Sequence, residues 1–154
     1  MVHDFVRQFS DIKINAVRIS SSYYHCSEKI AKVKNNIKVK PYAAGLFLGS
    51  KVNGQFVPSV GLLDILAKNS DKKVFVNKKG EWLFLCGRDL FGNSVVKSEN
   101  FEKDSLVLVQ NENDENLGYG SVVDYINNPK NKNKMVVKNL LDRGSFLRRE
   151  KNKS

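Results

Sequence analysis

The chain has 154 residues, 41% of them hydrophobic and 27% charged, and a formal net charge of +10. That length suits one domain or two small ones packed together, and the composition is that of a globular rather than a disordered chain. The longest apolar run, AAGLFLG at 43–49, is far too short to cross a membrane, the N-terminal MVHDFVRQF carries Asp4 early and has no signal-peptide pattern, and Cys26 and Cys86 stand apart without CxxC spacing. An intracellular chain with reduced thiols is expected.

Val2, Phe5, Val6 and Phe9 recur at helical spacing and predict a short amphipathic helix over 2–9. INAVRIS at 14–20 alternates as a strand does. Ser27 is a good N-cap for EKIAKVKNN, which has Glu28 in its first turn and Ile30 and Val33 facing inward. AAGLFLG reads as a buried strand, Asn53-Gly54 as a turn and QFV at 55–57 as the returning strand. Pro58 is placed to start the next helix, which is striped by Val60, Leu63, Leu66 and Ala67 and closed by Asn69.

After SDKK at 70–73 the pattern changes. VFVN, EWLFLCG, NSVVK, SLVLVQ, LGYGSVV and KMVVKNLL are short strand-like runs, separated by KKG, NEND and NNPKNKNK. Such a series argues a small β-barrel or sandwich. Within it Cys86 is expected to be buried in a strand that Gly87 ends, RDLF makes one helical turn, and Gly92-Asn93 leads back into SVV. Gly118-Tyr119-Gly120 reads as a glycine pair that permits close packing or a bulge, and NNPKNKNK at 127–134 as a mobile loop. The expected architecture is therefore α+β: an N-terminal α/β domain over 1–71, followed by a mostly β domain, barrel or sandwich, over 72–154.

The positive charge is segregated. Residues 130–154 hold nine Lys/Arg against Asp142 and Glu150, a net +7, and residues 28–40 hold five Lys against Glu28, a net +4. Residues 97–129 set Lys97 and Lys103 against seven acids, a net −5. Segregation of this kind attracts polyanions, whereas evenly spread lysines would simply be a solvated surface.

Catalysis finds little support. His25 adjoins Cys26, and adjacent strand residues point to opposite faces. No Gly-Lys-Ser phosphate loop and no GxGxxG occurs, and Glu112, Asp114 and Glu115 lack calcium-loop spacing. A binding module without cofactor or metal is expected. Arg88 and Lys97 supply charge around the two glycines of GRDLFGNSVVK, although Arg88 could equally be paired with Asp89 or Glu81. In DRGSFLRREKNKS at 142–154, Ser145-Phe146-Leu147 anchors the chain once more before Arg148 and Arg149, so their guanidinium forks are expected to be fixed for phosphate. Lys151 and Lys153 are expected to act as looser point charges.

KVFVNKKGEWLFLCGRDLFGNSVV, SLVLVQNENDENLGYGSVV and NLLDRGSFLRRE, in that order, resemble a PUA domain, the RNA-binding domain named for pseudouridine synthases and archaeosine transglycosylases. Upstream, YYHCSEKI and GLFLGSKVNGQFVPSVGLLDILAK resemble the first domain of the Nip-seven family of ribosome biogenesis proteins, in a short form like the archaeal members. The resemblance covers roughly residues 23–150, and it implies an N-terminal α/β domain packed on a mixed β pseudobarrel. It implies a non-enzymatic RNA-binding factor for pre-rRNA processing and large-subunit assembly, with rRNA or its precursors as partner and proteins of the pre-ribosomal particle as further ones. It implies a cytoplasmic setting, nucleolar in a eukaryote, no membrane partner, and a monomer when free. It points to the basic end of the PUA domain, Arg148, Arg149, Lys151 and Lys153. Arg143, Arg88, Lys97 and Lys138 complete the candidate RNA-binding set. The alternative is a protein-interaction adaptor that recruits a biogenesis factor or an RNA-degrading complex through the N-terminal domain. An RNA-modifying enzyme is disfavoured, because neither a cofactor loop nor a catalytic acid is evident.

Overall fold

Two sheets organise the chain, one in each of two units, Met1–Asn69 and Ser70–Ser154. The structure is a computed structural model that describes residues 1–36, 41–145, 147 and 148.

In the first unit β1 (Ala16–Ile19), β2 (Ser22–His25), β3 (Leu46–Val52) and β4 (Gln55–Pro58) form an antiparallel meander in chain order. Asn53 and Gly54 turn β3 into β4 with φ of 48° and 83°, the left-handed pair that a tight hairpin demands. Helix α1 (Val2–Arg7) buries Val2, Phe5 and Val6. The Phe5 ring meets Phe56 of β4 edge-on at 5.5 Å, and Phe56 meets Tyr23 of β2 at 5.7 Å.

Three details of this unit differ from expectation. Pro58 ends β4 instead of opening a helix; Ser59 is the N-cap of α3 (Val60–Lys68), its hydroxyl accepting from the Leu62 N–H at 3.1 Å. A proline N–H is missing at a strand end as harmlessly as at a helix start, so both positions suit it. In β3 only Leu48 and Gly49 are buried, while Leu46 and Phe47 are exposed. A register shift opposite Tyr23 and Tyr24 breaks the alternation there. Helix α2 (Glu28–Asn36) has Ser27 as its cap, accepting from the Ile30 N–H at 3.4 Å, but it leaves Ile30 and Val33 exposed, Val33 by 61%.

The second unit runs β5 (Lys73–Val76), α4 (Lys78–Leu85), β6 (Leu90–Phe91), a 3-10 turn at Gly92–Ser94, β7 (Val95–Ser98), β8 (Leu106–Gln110), β9 (Asn116–Val122) and β10 (Met135–Asp142). The sheet order is β6-β10-β9-β8-β5-β7, with β5 and β8 parallel and the other pairs antiparallel. β6 and β7 stand at opposite ends of this order, yet only the 3-10 turn separates them in the chain. The sheet must therefore curl until its edges nearly meet, and the result is the mixed β pseudobarrel expected. Val74, Val76, Phe84, Leu90, Val107, Val109, Val122 and Val137 fill it. Gly118 and Gly120 admit β10, since a Cβ at Gly118 would stand 2.0 Å from the Leu141 carbonyl oxygen, and β10 bulges between Asn139 and Leu141 beside them.

Three expectations fail here, the first being the helical turn of RDLF: Leu90–Phe91 forms β6 instead. EWLFLCG belongs to helix α4, not to a strand, and Cys86 is its exposed C-cap rather than a buried core thiol. NNPKNKNK is not a structureless loop: Asn128 caps a 3-10 turn at Pro129–Asn131, and the buried Asn131 amide donates to the Tyr125 carbonyl at 2.9 Å.

Candidate nucleic-acid interface

Helix α4 forms because its ends are specified. Asn77 accepts from the Gly80 N–H at 2.9 Å, which satisfies one of the free donors of the first turn. At the other end Gly87, at φ 83°, donates to Phe84 O at 2.9 Å, and Arg88 N–H donates to Leu83 O at 3.0 Å. This paired closure needs a residue that accepts the left-handed conformation at the Gly87 position, and glycine does so without strain.

The chain returns to this helix end from β10. The Asn139 side chain donates to Phe84 O at 2.9 Å and its N–H to Asp89 Oδ1 at 2.8 Å. Beyond β10 a turn closed by Arg148 N–H to Gly144 O, 3.1 Å, swings the Arg148 guanidinium under the helix. There Nη1 donates to Leu85 O and to Asp142 Oδ1 (3.0 Å), and Nη2 to Asp142 Oδ2 (2.7 Å). A cation at a helix C-terminus is favoured by the dipole, and a buried carboxylate such as Asp142 demands a partner. The Asp142 hydrogen bonds raise the Arg148 guanidinium above its ordinary pKa.

The candidate residues thus separate. The Arg148 guanidinium is fixed, but by partners within the chain: both terminal nitrogens are committed to Asp142 or the Leu85 carbonyl, although 42% of the side chain stays exposed. Arg88 and Lys138 are exposed, and the residues that follow them, Asp89 and Asn139, are joined by a hydrogen bond. Among the described residues neither cation has an ion-pair partner; the suggested pairing of Arg88 with Asp89 or Glu81 is not made, since Glu81 accepts from Asn111 Nδ2 at 3.2 Å. Lys97 lies elsewhere, its ammonium 5.4 Å from the centre of the Phe75 ring, beside Asp71 and Glu99. Arg143 Nε donates to Asn116 O at 2.5 Å. Arg149, Lys151 and Lys153 lie outside the described residues.

Trp82 was missed by sequence reasoning. It is 66% exposed on α4, whereas a strand assignment would have buried one face of EWLFLCG. The available signal was Asn77 and Gly87, a capping residue and a terminating glycine bracketing a helix of suitable length.

A family model described as the UPF0113 PUA domain matches residues 72–151, more than half of the chain. The UPF0113 protein of Archaeoglobus fulgidus is 39% identical over 118 residues, which are 74% of this chain and 66% of that protein, just under two thirds of its length. Among solved structures, a conserved PUA domain protein from Thermoplasma acidophilum has a TM-score of 0.61 at 18% identity, covering 97% of this chain and 91% of that one. A PUA domain from Aeropyrum pernix, in a tartrate complex, has a TM-score of 0.52 at 18% identity over 62% of this chain and 56% of that one. At such identities the two structures speak for the fold alone. The family model covers the unit that holds the pseudobarrel and its basic helix end, and the chain belongs to the UPF0113 PUA domain family.

Proposed function

We propose that the chain is a non-enzymatic RNA-binding factor that serves pre-rRNA processing and large-subunit assembly, as its resemblance to the Nip-seven family implies. The observation that carries this reading is the PUA family match over the unit that also holds the exposed cations Arg88 and Lys138. Charge segregated toward the C-terminal end of the same unit supports it. Contacts of this type position an RNA backbone without reading its sequence. The proposed partners are rRNA or its precursors and proteins of the pre-ribosomal particle. The proposed setting is cytoplasmic, or nucleolar in a eukaryote, and the free protein is proposed to be a monomer.

Crosslinking in cells, followed by sequencing of the bound RNA, tests this reading. Enrichment of pre-rRNA is expected; recovery of unrelated transcripts in proportion to their abundance would reject the assembly role. Mass spectrometry of RNA incubated with the pure protein, with and without S-adenosylmethionine, should show no new nucleoside.

A second reading is favoured by the exposed Ile30 and Val33 on α2 and by Leu46 and Phe47 on β3. In it the first unit is an adaptor that recruits a biogenesis factor or an RNA-degrading complex. Charge or size changes at these residues would then impair recruitment while leaving RNA affinity intact.

A further inference from the structure

We propose that the exposed face of α4 is a stacking site for an unpaired base of single-stranded RNA, with Trp82 as the platform and Lys78 and Lys79 as its phosphate contacts. This rests on the RNA-binding reading above and goes further in naming a site and the class of RNA it takes.

Trp82 is the one tryptophan of the chain, and two thirds of its surface is open to solvent. A side chain of this size normally buries most of its area and satisfies its N–H. Among the described residues no ring stacks on the Trp82 indole and no group hydrogen-bonds to it. The helix explains the exposure: Gly80 and Phe84 take the face turned to the core, which leaves Trp82 pointing away.

Lys78 and Lys79 lie four and three residues before Trp82, the spacing that places side chains about 5–6 Å apart on one helical face. Both are exposed, and among the described residues neither ammonium has an ion-pair partner. Their position does nothing for the helix. Cations in a first turn oppose the dipole, and Asn77 already caps that turn. The one acid in the turn, Glu81, is engaged with Asn111. An open aromatic face beside two unpaired cations matches the pairing of base and flanking phosphate in a single strand. A duplex keeps its bases stacked inside and offers no face to the indole.

Because Trp82 is alone, its fluorescence reports the site directly. The 154-residue chain is titrated with an unstructured oligoadenylate, with an RNA duplex of equal length and with inorganic polyphosphate, while the anisotropy of labelled RNA reports binding as such. The single strand should quench Trp82 with the same midpoint as the anisotropy change, and polyphosphate should displace it without quenching. Trp82→Ala should weaken single-strand binding by about 5- to 150-fold, the range that loss of one stacked base corresponds to, and Trp82→Phe by less. Duplex binding should stay within twofold. Lys78→Ala and Lys79→Ala should each lower the log–log salt slope by about 0.7 but preserve the quench at saturation. RNA that binds by anisotropy with Trp82 emission unchanged and Trp82→Ala neutral would overturn the stacking site and leave the RNA-binding reading standing. Absence of any anisotropy change would overturn both.

Discussion

The Arg148 guanidinium grips the buried Asp142 carboxylate with two parallel hydrogen bonds, Nη1 to Oδ1 at 3.0 Å and Nη2 to Oδ2 at 2.7 Å. A third bond from the same group reaches the Leu85 carbonyl at the end of α4. The pair joins the segment after β10 to the helix that shapes the candidate RNA surface.

Arg148→Ala should therefore act on stability before it acts on RNA. It leaves Asp142 buried without its partner, a loss of about 1–3 kcal/mol once the exposure of Arg148 is discounted. The midpoint of denaturant unfolding should fall. Adding Asp142→Asn should recover part of the loss, since removing both charges costs less than stranding one. An Arg148→Ala midpoint equal to that of the native chain would show the pair to be idle.

Arg88→Ala and Lys138→Ala should weaken RNA binding with little change in unfolding, because exposed charges contribute within about 0.5 kcal/mol to stability. If each meets one phosphate, the log–log salt slope drops by about 0.7 per residue, and equally for unrelated single strands. Lys97→Ala, over the Phe75 ring and beside two acids, should leave the slope unchanged. Binding isotherms at several salt concentrations decide this.

Gly87→Ala should destabilise the second unit by about 1 kcal/mol or more, because alanine resists a φ of 83°. An added Cβ would also stand 2.9 Å from the Arg148 guanidinium. Denaturant unfolding measures the loss. The nearby Arg88→Ala substitution, which disturbs neither feature, serves as control.

Alkaline titration should find Tyr119 late to lose its proton. Burial raises its phenol above the ordinary value because tyrosinate is poorly solvated there. The folded state holds this proton more tightly than the unfolded state. Its contribution is thus fully present below about pH 10 and is lost as pH rises through the folded value. In ultraviolet titration Tyr119→Phe should remove a late-titrating phenol, and it should flatten the alkaline fall in stability.

Most of the scaffold was legible in the sequence. Short apolar runs between turn signals marked β8, β9 and β10, the Asn53-Gly54 pair marked the hairpin, and the stripe of Val60, Leu63, Leu66 and Ala67 closed by Asn69 marked α3, because each signal is local. The misreadings share a cause. EWLFLCG has the composition of a strand, and only its flanks, Asn77 and Gly87, show that it is a helix. Ile30 and Val33 sit at core spacing on α2 but meet no core, a fact that depends on tertiary position and not on periodicity. The partner of Arg148 was hidden for a related reason. Asp142 is close by in sequence, but its burial is decided by the sheet around it.

The near-meeting of β6 and β7 carries a consequence for how the chain folds. β8, β9 and β10 follow one another and can pair through short loops. Leu90 with Val137 and Val74 with Val109, by contrast, join positions dozens of residues apart, and such contacts are made only after the entropy of a large loop has been surrendered. The barrel should shut late and slowly. Asp89 with Asn139 belongs to the same β6–β10 junction, and Arg148 with Leu85 is as distant in the chain, so the end of α4 that bears Arg88 takes its final form only once that junction is made.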